Sequence, residues 1–146
     1  MVSVNEIIQQ YKAFCDKHLM IKTFSFVVPK DRFVTGNYKY PLVIIEPLGF
    51  TFKTGEIIFD HRLYFLDIVN KDLSNYLSII SNQLQISVDL YNYFNDNEQD
   101  FNFFLYNDSN AVPVLYNEFE DWLCGVSLPL HAQIRNPRYE NEIPLQ

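Results

Sequence analysis

A strict alternation near the end of the chain constrains the fold more than any other feature. Trp122, Cys124, Val126, Leu128, Leu130, Ala132 and Ile134 occupy every second position. Asp121, Gly125, Ser127, Pro129, His131, Gln133 and Arg135 lie between them. Successive side chains of a strand point to opposite faces, so this pattern specifies a long strand with one buried side. A strand of that kind needs partners and a covering layer, which excludes an all-helical fold. Pro129 has no N–H to give a ladder, so the strand is expected to lie at an edge, or to be bulged or bent there.

The rest of the chain supplies those partners. Residues 3–18 carry Val4, Ile7, Ile8, Tyr11, Phe14, Cys15 and His18 at helical spacing, and Ser3 with Glu6 forms a capping box. Residues 21–28, IKTFSFVV, are β-branched and aromatic and read as a strand. Pro29 and Pro41 bracket an expected projecting loop or hairpin arm, which holds Lys30, Arg32 and Lys39. LVIIE at 42–46 reads as a strand buried on both faces. Two short strands are expected around Lys53-Thr54-Gly55, and a further one at 61–69, with Asp67 on the face of Leu63, Phe65 and Val69.

Residues 72–94 form the longest expected helix. Leu73, Tyr76, Leu77, Ile80, Leu84, Val88, Tyr91 and Phe94 mark its apolar face, and Asn70 or Asp72 its cap. A strand at 101–106, a loop at 107–113 and an extended tail at 136–146 complete the reading. One α+β domain is expected over 1–135: a mostly antiparallel or mixed sheet with both helices packed on one face.

Composition narrows the function. Eleven basic residues face 18 acidic ones, giving net charge −7 and no Lys/Arg-rich stretch. A free-standing nucleic-acid binder would present a basic face, because phosphate contacts supply most of its affinity. No apolar run approaches the ~20 residues of a membrane span. MVSVNEIIQQYK lacks the pattern of a secretory leader, so none is expected. Cys15 and Cys124 read as two buried thiols rather than a bridge. Thirteen Phe and ten Tyr against four Gly suit large contact surfaces better than ligand-cradling loops.

No constellation specifies catalysis. Cys15 and His18 have metal half-site spacing but fall on the apolar stripe of the first helix, and zinc needs about four ligands. Asp60 and His61 are adjacent on a strand, so they point to opposite faces and Asp60 cannot orient His61. His131 has Ser127 and Asp121 near it in sequence, but no nucleophile turn is present. Glu118, Glu120 and Asp121 read as a solvated turn. Asp67, a carboxylate on an apolar face, requires a partner or an interface. No enzymatic activity, cofactor or metal is expected.

HRLYFLDIVNKDLSNYLSIISNQLQISVDLYNYF, residues 61–94, resembles the passage from an Asp-bearing strand into the long helix of phage tail terminator and tail-completion proteins. DWLCGVSLPLHAQI, residues 121–134, resembles their closing strand, with an acidic residue, an aromatic, a Gly and alternating apolar positions. The resemblance covers residues 1–135; the loop 29–41 and the tail match no motif. It implies a non-enzymatic virion protein of the neck or tail, assembled in the host cytoplasm. Such a protein forms a homo-oligomeric, six-membered ring between the tail tube and connector or portal-associated proteins. Double-stranded DNA passes its lumen without specific binding, which an acidic wall would favour. Arg32, Phe33, Tyr38 and Tyr40 in the loop, Asp67, and Arg138 and Tyr139 in the tail are the candidate subunit-interface residues, chosen for aromatic, Arg or unpartnered-charge character. The alternative reading is a small acidic binding module, an immunity or adaptor protein, that neutralises a basic protein partner.

Overall fold

The long alternating segment lies at the centre of the fold. A computed structural model describes residues 3–25, 39–96, 101–107, 112–116 and 123–135. Within them the chain runs α1 (Val4–Lys17), β1 (Thr23–Ser25), β2 (Leu42–Lys53), β3 (Glu56–Ile68), α2 (Tyr76–Asp96), β4 (Phe103–Tyr106), β5 (Val114–Tyr116) and β6 (Leu123–Arg135). The six strands form one mixed sheet in the order β1-β2-β3-β6-β4, with β5 also on β6. β1 is parallel to β2 and every other pairing is antiparallel. The architecture is α+β.

Both helices cover one face. Ile7, Tyr11, Phe14 and Cys15 of α1 and Ile86, Leu90 and Phe94 of α2 join Val43, Ile45, Phe59, Leu63, Phe65 and the even-numbered apolar side chains of β6 from Val126 to Ile134 in one core. α1 starts as its sequence dictates: Ser3 Oγ accepts the Glu6 backbone N–H at 3.1 Å. It ends at His18, whose N–H reaches the carbonyls of Phe14 and Cys15. A second, smaller core of Leu42, Ile44, Tyr64, Leu66, Leu115 and Leu123 lies on the opposite face, at one end of the sheet.

The separate strands expected at 42–46, around 53–55 and at 61–69 are one long hairpin. β2 and β3 pair from Leu42↔Leu66 to Lys53↔Glu56, and the turn is Thr54-Gly55. Gly55 takes φ 76°, the left-handed conformation that favours glycine. Pro47 and Gly49, which look like breaks in the sequence, mark a register shift inside a continuous strand. A bulge absorbs the extra residue without ending the pairing.

β6 is central, not an edge strand. β3 pairs along its whole length, and its other side is covered by β4 at residues 131–134 and by β5 at 124–126. β4 and β5 are thus two pieces of one interrupted edge. The interruption has a cause at Pro129. The Ser127 N–H donates to Pro113 O on that side, at 2.9 Å. N–H groups two residues apart on a strand point the same way. The donor that Pro129 lacks therefore falls in the gap between β4 and β5. Gly125 is needed for a different reason: a Cβ there would lie 1.8 Å from the Phe65 carbonyl oxygen.

α2 begins four residues later than expected, because residues 70–75 form its entry. Asn75 O accepts the first helical N–H, from Ile79, and the Asn75 amide is tied to Asn70 N–H (2.7 Å) and Ile68 O (3.2 Å). Asp72 caps the turn by accepting Ser74 N–H at 3.0 Å. The helix is also rotated from the face expected. Ile79, Gln83, Ile86, Ser87, Leu90 and Phe94 are the buried positions. Most of the expected apolar stripe lies about 110° away around the axis, at ~3.6 residues per turn.

Candidate assembly surfaces

Apolar side chains left in water are the features of this fold that packing does not explain. Two groups of them stand at opposite ends of the sheet. The first is the outer half of the β2–β3 hairpin. Beyond Ile44, β2 has no partner on its outer side among the described residues, since β1 pairs only with Leu42–Ile44. Leu48 and Phe50 are each 53% exposed there, and Phe52 is 79% exposed. Phe50 stacks on Phe59 with centroids 5.3 Å apart, so its ring is held in place while its outer face stays open. Lys53 follows at the tip and makes no ion pair among the described residues.

The second group runs along α2. Leu77, Ile80, Leu84, Val88 and Tyr91 make a stripe at steps of three and four, with Leu77 78% exposed and Leu84 and Val88 open to solvent. The rotation that turns it outward is fixed from two sides. His18, at the end of α1, reaches Asp89 at 2.9 Å, and Gln85 donates to the other oxygen of the same carboxylate. The Asn75 entry fixes the other end. The stripe leads into a cavity of about 230 Å³ lined by Ser87, Val88, Tyr91, Asn107, Val112 and Leu128. That cavity lies between α2 and the β4/β5 interruption. Gln83 is buried to 1% exposure on the underside of this helix, and neither amide atom finds a hydrogen-bond partner among the described residues.

Charge divides along the same axis. Among the described residues, seven Lys and Arg (Lys12, Lys17, Lys22, Lys39, Lys53, Arg62 and Lys71) lie in the part of the chain up to residue 71, which builds α1, β1, β2 and β3. Among the described residues, α2, β4 and β5 contain no Lys or Arg and carry Asp89 and Asp96 as their charged residues, and β6 contains one cation, Arg135, at its end. The sheet order places β1, β2 and β3 on one half and β6, β4 and β5 on the other. What reads along the sequence as scattered cations gathers, among the described residues, on the β1–β3 half, with Arg135 of β6 the exception.

The ionisable groups on the sheet serve mainly to tie strands together. On the face opposite the helices, His131 Nδ1–H donates to Asp60 Oδ1 at 2.5 Å, and Thr51 donates to Asp60 Oδ2 at 3.1 Å. Tyr106 stacks on the imidazole at 5.0 Å. This group links β2, β3, β6 and β4. Tyr64 donates to Glu46 at 2.8 Å, with Arg62 beside them. As expected, Asp60 and His61 point to opposite faces. His61 is buried against α1. Its Nδ1–H faces the Phe59 carbonyl, which only accepts, so Nε2 must be the acceptor for the Tyr11 hydroxyl, at 2.7 Å. Burial pushes the imidazole down to about 4 and the Tyr11 hydroxyl up, so both are neutral. Sequence reasoning missed the Asp60–His131 pair, because nothing in a single sequence gives the β3–β6 register.

Of the candidate interface residues, Arg32, Phe33, Tyr38, Arg138 and Tyr139 lie outside the described residues. Tyr40 is half-buried against the second core, beside Leu42 and Ile44. Asp67 is half-buried on the helix-covered face, opposite Cys124. It accepts the Ile68 N–H at 2.8 Å, and desolvation raises its carboxyl above the usual range. No cation pairs with it among the described residues. Both cysteines are free and buried, and burial pushes Cys15 up to about 12 and Cys124 up to about 11. Among the described residues no group of His, Cys, Asp and Glu could hold a metal, and no helix is long and apolar enough to cross a membrane. The residues that sequence reasoning did not select are Phe50, Phe52 and the outward side of α2. Their signal was present as apolar character, but it reads as core until the register and helix rotation are known. Comparison with protein-family models finds no match, and comparison with curated proteins finds none either.

Proposed function

We propose that this chain is a structural subunit of a bacteriophage neck or tail. In this reading copies close into a ring, six-membered by the resemblance, that caps the tail tube or joins it to the head connector. The ring lets double-stranded DNA pass, and the subunit carries no enzymatic activity. One observation carries the reading: the molecule exposes two unlike apolar surfaces at opposite ends of a sheet whose described cations gather on the β1–β3 half, Arg135 excepted. Unlike surfaces make heterologous contacts, which close into rings when the rotation allows it. β2 beyond Ile44 has no outer partner among the described residues, and an open sheet edge is an aggregation hazard that a neighbouring subunit would cover. Net charge −7 suits a wall past which DNA slides without sticking.

The reading is tested by negative-stain imaging of the purified protein and a gel-shift assay with duplex DNA at low salt. Rings with an open centre and no DNA retardation are expected. Uniform single-subunit particles, or tight DNA binding, would contradict it. The absence of Lys and Arg from α2 also suits a binding module for a basic protein. That reading predicts a permanent monomer which captures such a partner through α2.

A further inference from the structure

We infer that the β2–β3 hairpin tip of one copy docks on the α2 stripe and cavity of the next. The inference rests on the ring reading and names the contact that would build it. Four observations select a second copy as occupant, and select which part of it. The stripe and cavity are mainly apolar and lie on α2, which has no Lys or Arg. An α2-to-α2 contact would set Asp89 and Asp96 of two copies on one interface with no cation from either helix, and like charges there are unfavourable. The tip offers the complement, with Phe50 and Phe52 exposed and Lys53 beside them without an ion pair among the described residues. Size also fits: a cavity of about 150 Å³ already admits a benzene ring, and this one is about 230 Å³. Phe52 is the most exposed aromatic among the described residues, and so the natural occupant. Lys53 then meets a helix whose charged residues, Asp89 and Asp96, are both acidic. Since the two surfaces lie on opposite edges of the sheet, each copy offers one tip and one receiving face, and the contact propagates head to tail.

Two variants test this. Phe52→Ser removes the tip ring while leaving the receiving face intact. Val88→Arg blocks the receiving face while leaving the tip intact. Both positions are exposed, and Arg is a good helix former, so circular dichroism and melting temperature should match wild type. By native mass spectrometry, wild type should assemble into multi-subunit species. Each variant alone should remain monomeric at concentrations at least tenfold above the wild-type assembly threshold. An equal mixture should give a two-subunit species and nothing larger, because only one tip and one receiving face remain to meet. Variants that assemble like wild type, or a mixture that yields no dimer, would overturn this contact and leave the ring reading standing. A wild-type protein that is monomeric at every concentration would remove the ring reading itself, and this contact with it.

Discussion

His61 shows how a single buried group couples this fold to pH. The neutral imidazole is held between the Tyr11 hydroxyl and the Phe59 carbonyl, and burial lowers its pKa from 6.5 to about 4. A lowered folded-state value means that the unfolded chain binds the proton first as pH falls. The His61 contribution to stability is therefore nil above about pH 6.5, becomes increasingly destabilising as pH falls from there to about 4, and is constant below. The full loss is on the order of 3 kcal/mol, at ~1.4 kcal/mol per unit. Denaturant unfolding at stepped pH should show this slope, and His61→Gln should flatten it. A slope unchanged by that substitution would place the titrating group elsewhere. Gly125 makes a steric demand instead. A methyl at its Cβ position would overlap the Phe65 carbonyl in the paired strand β3. Gly125→Ala should cost about 2–3 kcal/mol or more in urea unfolding, since β3 and β6 must separate locally to admit it. A variant as stable as wild type would mean that the two strands are less closely apposed than described.

The elements differ in how far the sequence alone could place them. α1 was legible because its capping residues and its stripe agree: Ser3 caps, and Ile7, Tyr11, Phe14 and Cys15 are buried. The alternation of β6 was legible because it depends only on the strand's own period. Its central position was not, because the meaning of Pro129 depends on whether the facing edge is continuous, and here that edge breaks at the proline. β5 was missed: three residues paired to β6 carry too little pattern to be read alone. α2 misled for an instructive reason. Its strongest apolar stripe faces outward, while its buried face contains Gln83 and Ser87. Local pattern and global packing conflict there, and such conflicts concentrate at functional surfaces. The buried face predicts its own test. Neither amide atom of Gln83 has a partner among the described residues, so Gln83→Met, which keeps the volume and removes the polar atoms, should raise stability by about 1 kcal/mol. Leu77→Gln, on the exposed stripe, should change it by no more than about 0.5 kcal/mol. Thermal melts of the two variants check both; a destabilised Gln83→Met would mean that the amide has a partner.

At the scale of the whole molecule, the proposed reading is that a sheet whose described cations gather on the β1–β3 half, with Arg135 at the end of β6 the exception, and which exposes two unlike apolar surfaces, meets copies of itself head to tail. The α+β class and the shared helix face followed from periodicity. The surfaces that support assembly did not, because the exposure of Phe52 and Leu77 is a property of register and rotation, not of residue type. The claim is tested most directly by native mass spectrometry of the wild-type protein over a concentration series. The account predicts one discrete closed species, a fixed multiple of the 17.3 kDa chain, that grows at the expense of monomer without larger multiples beyond it. A single-subunit mass at every concentration would contradict it.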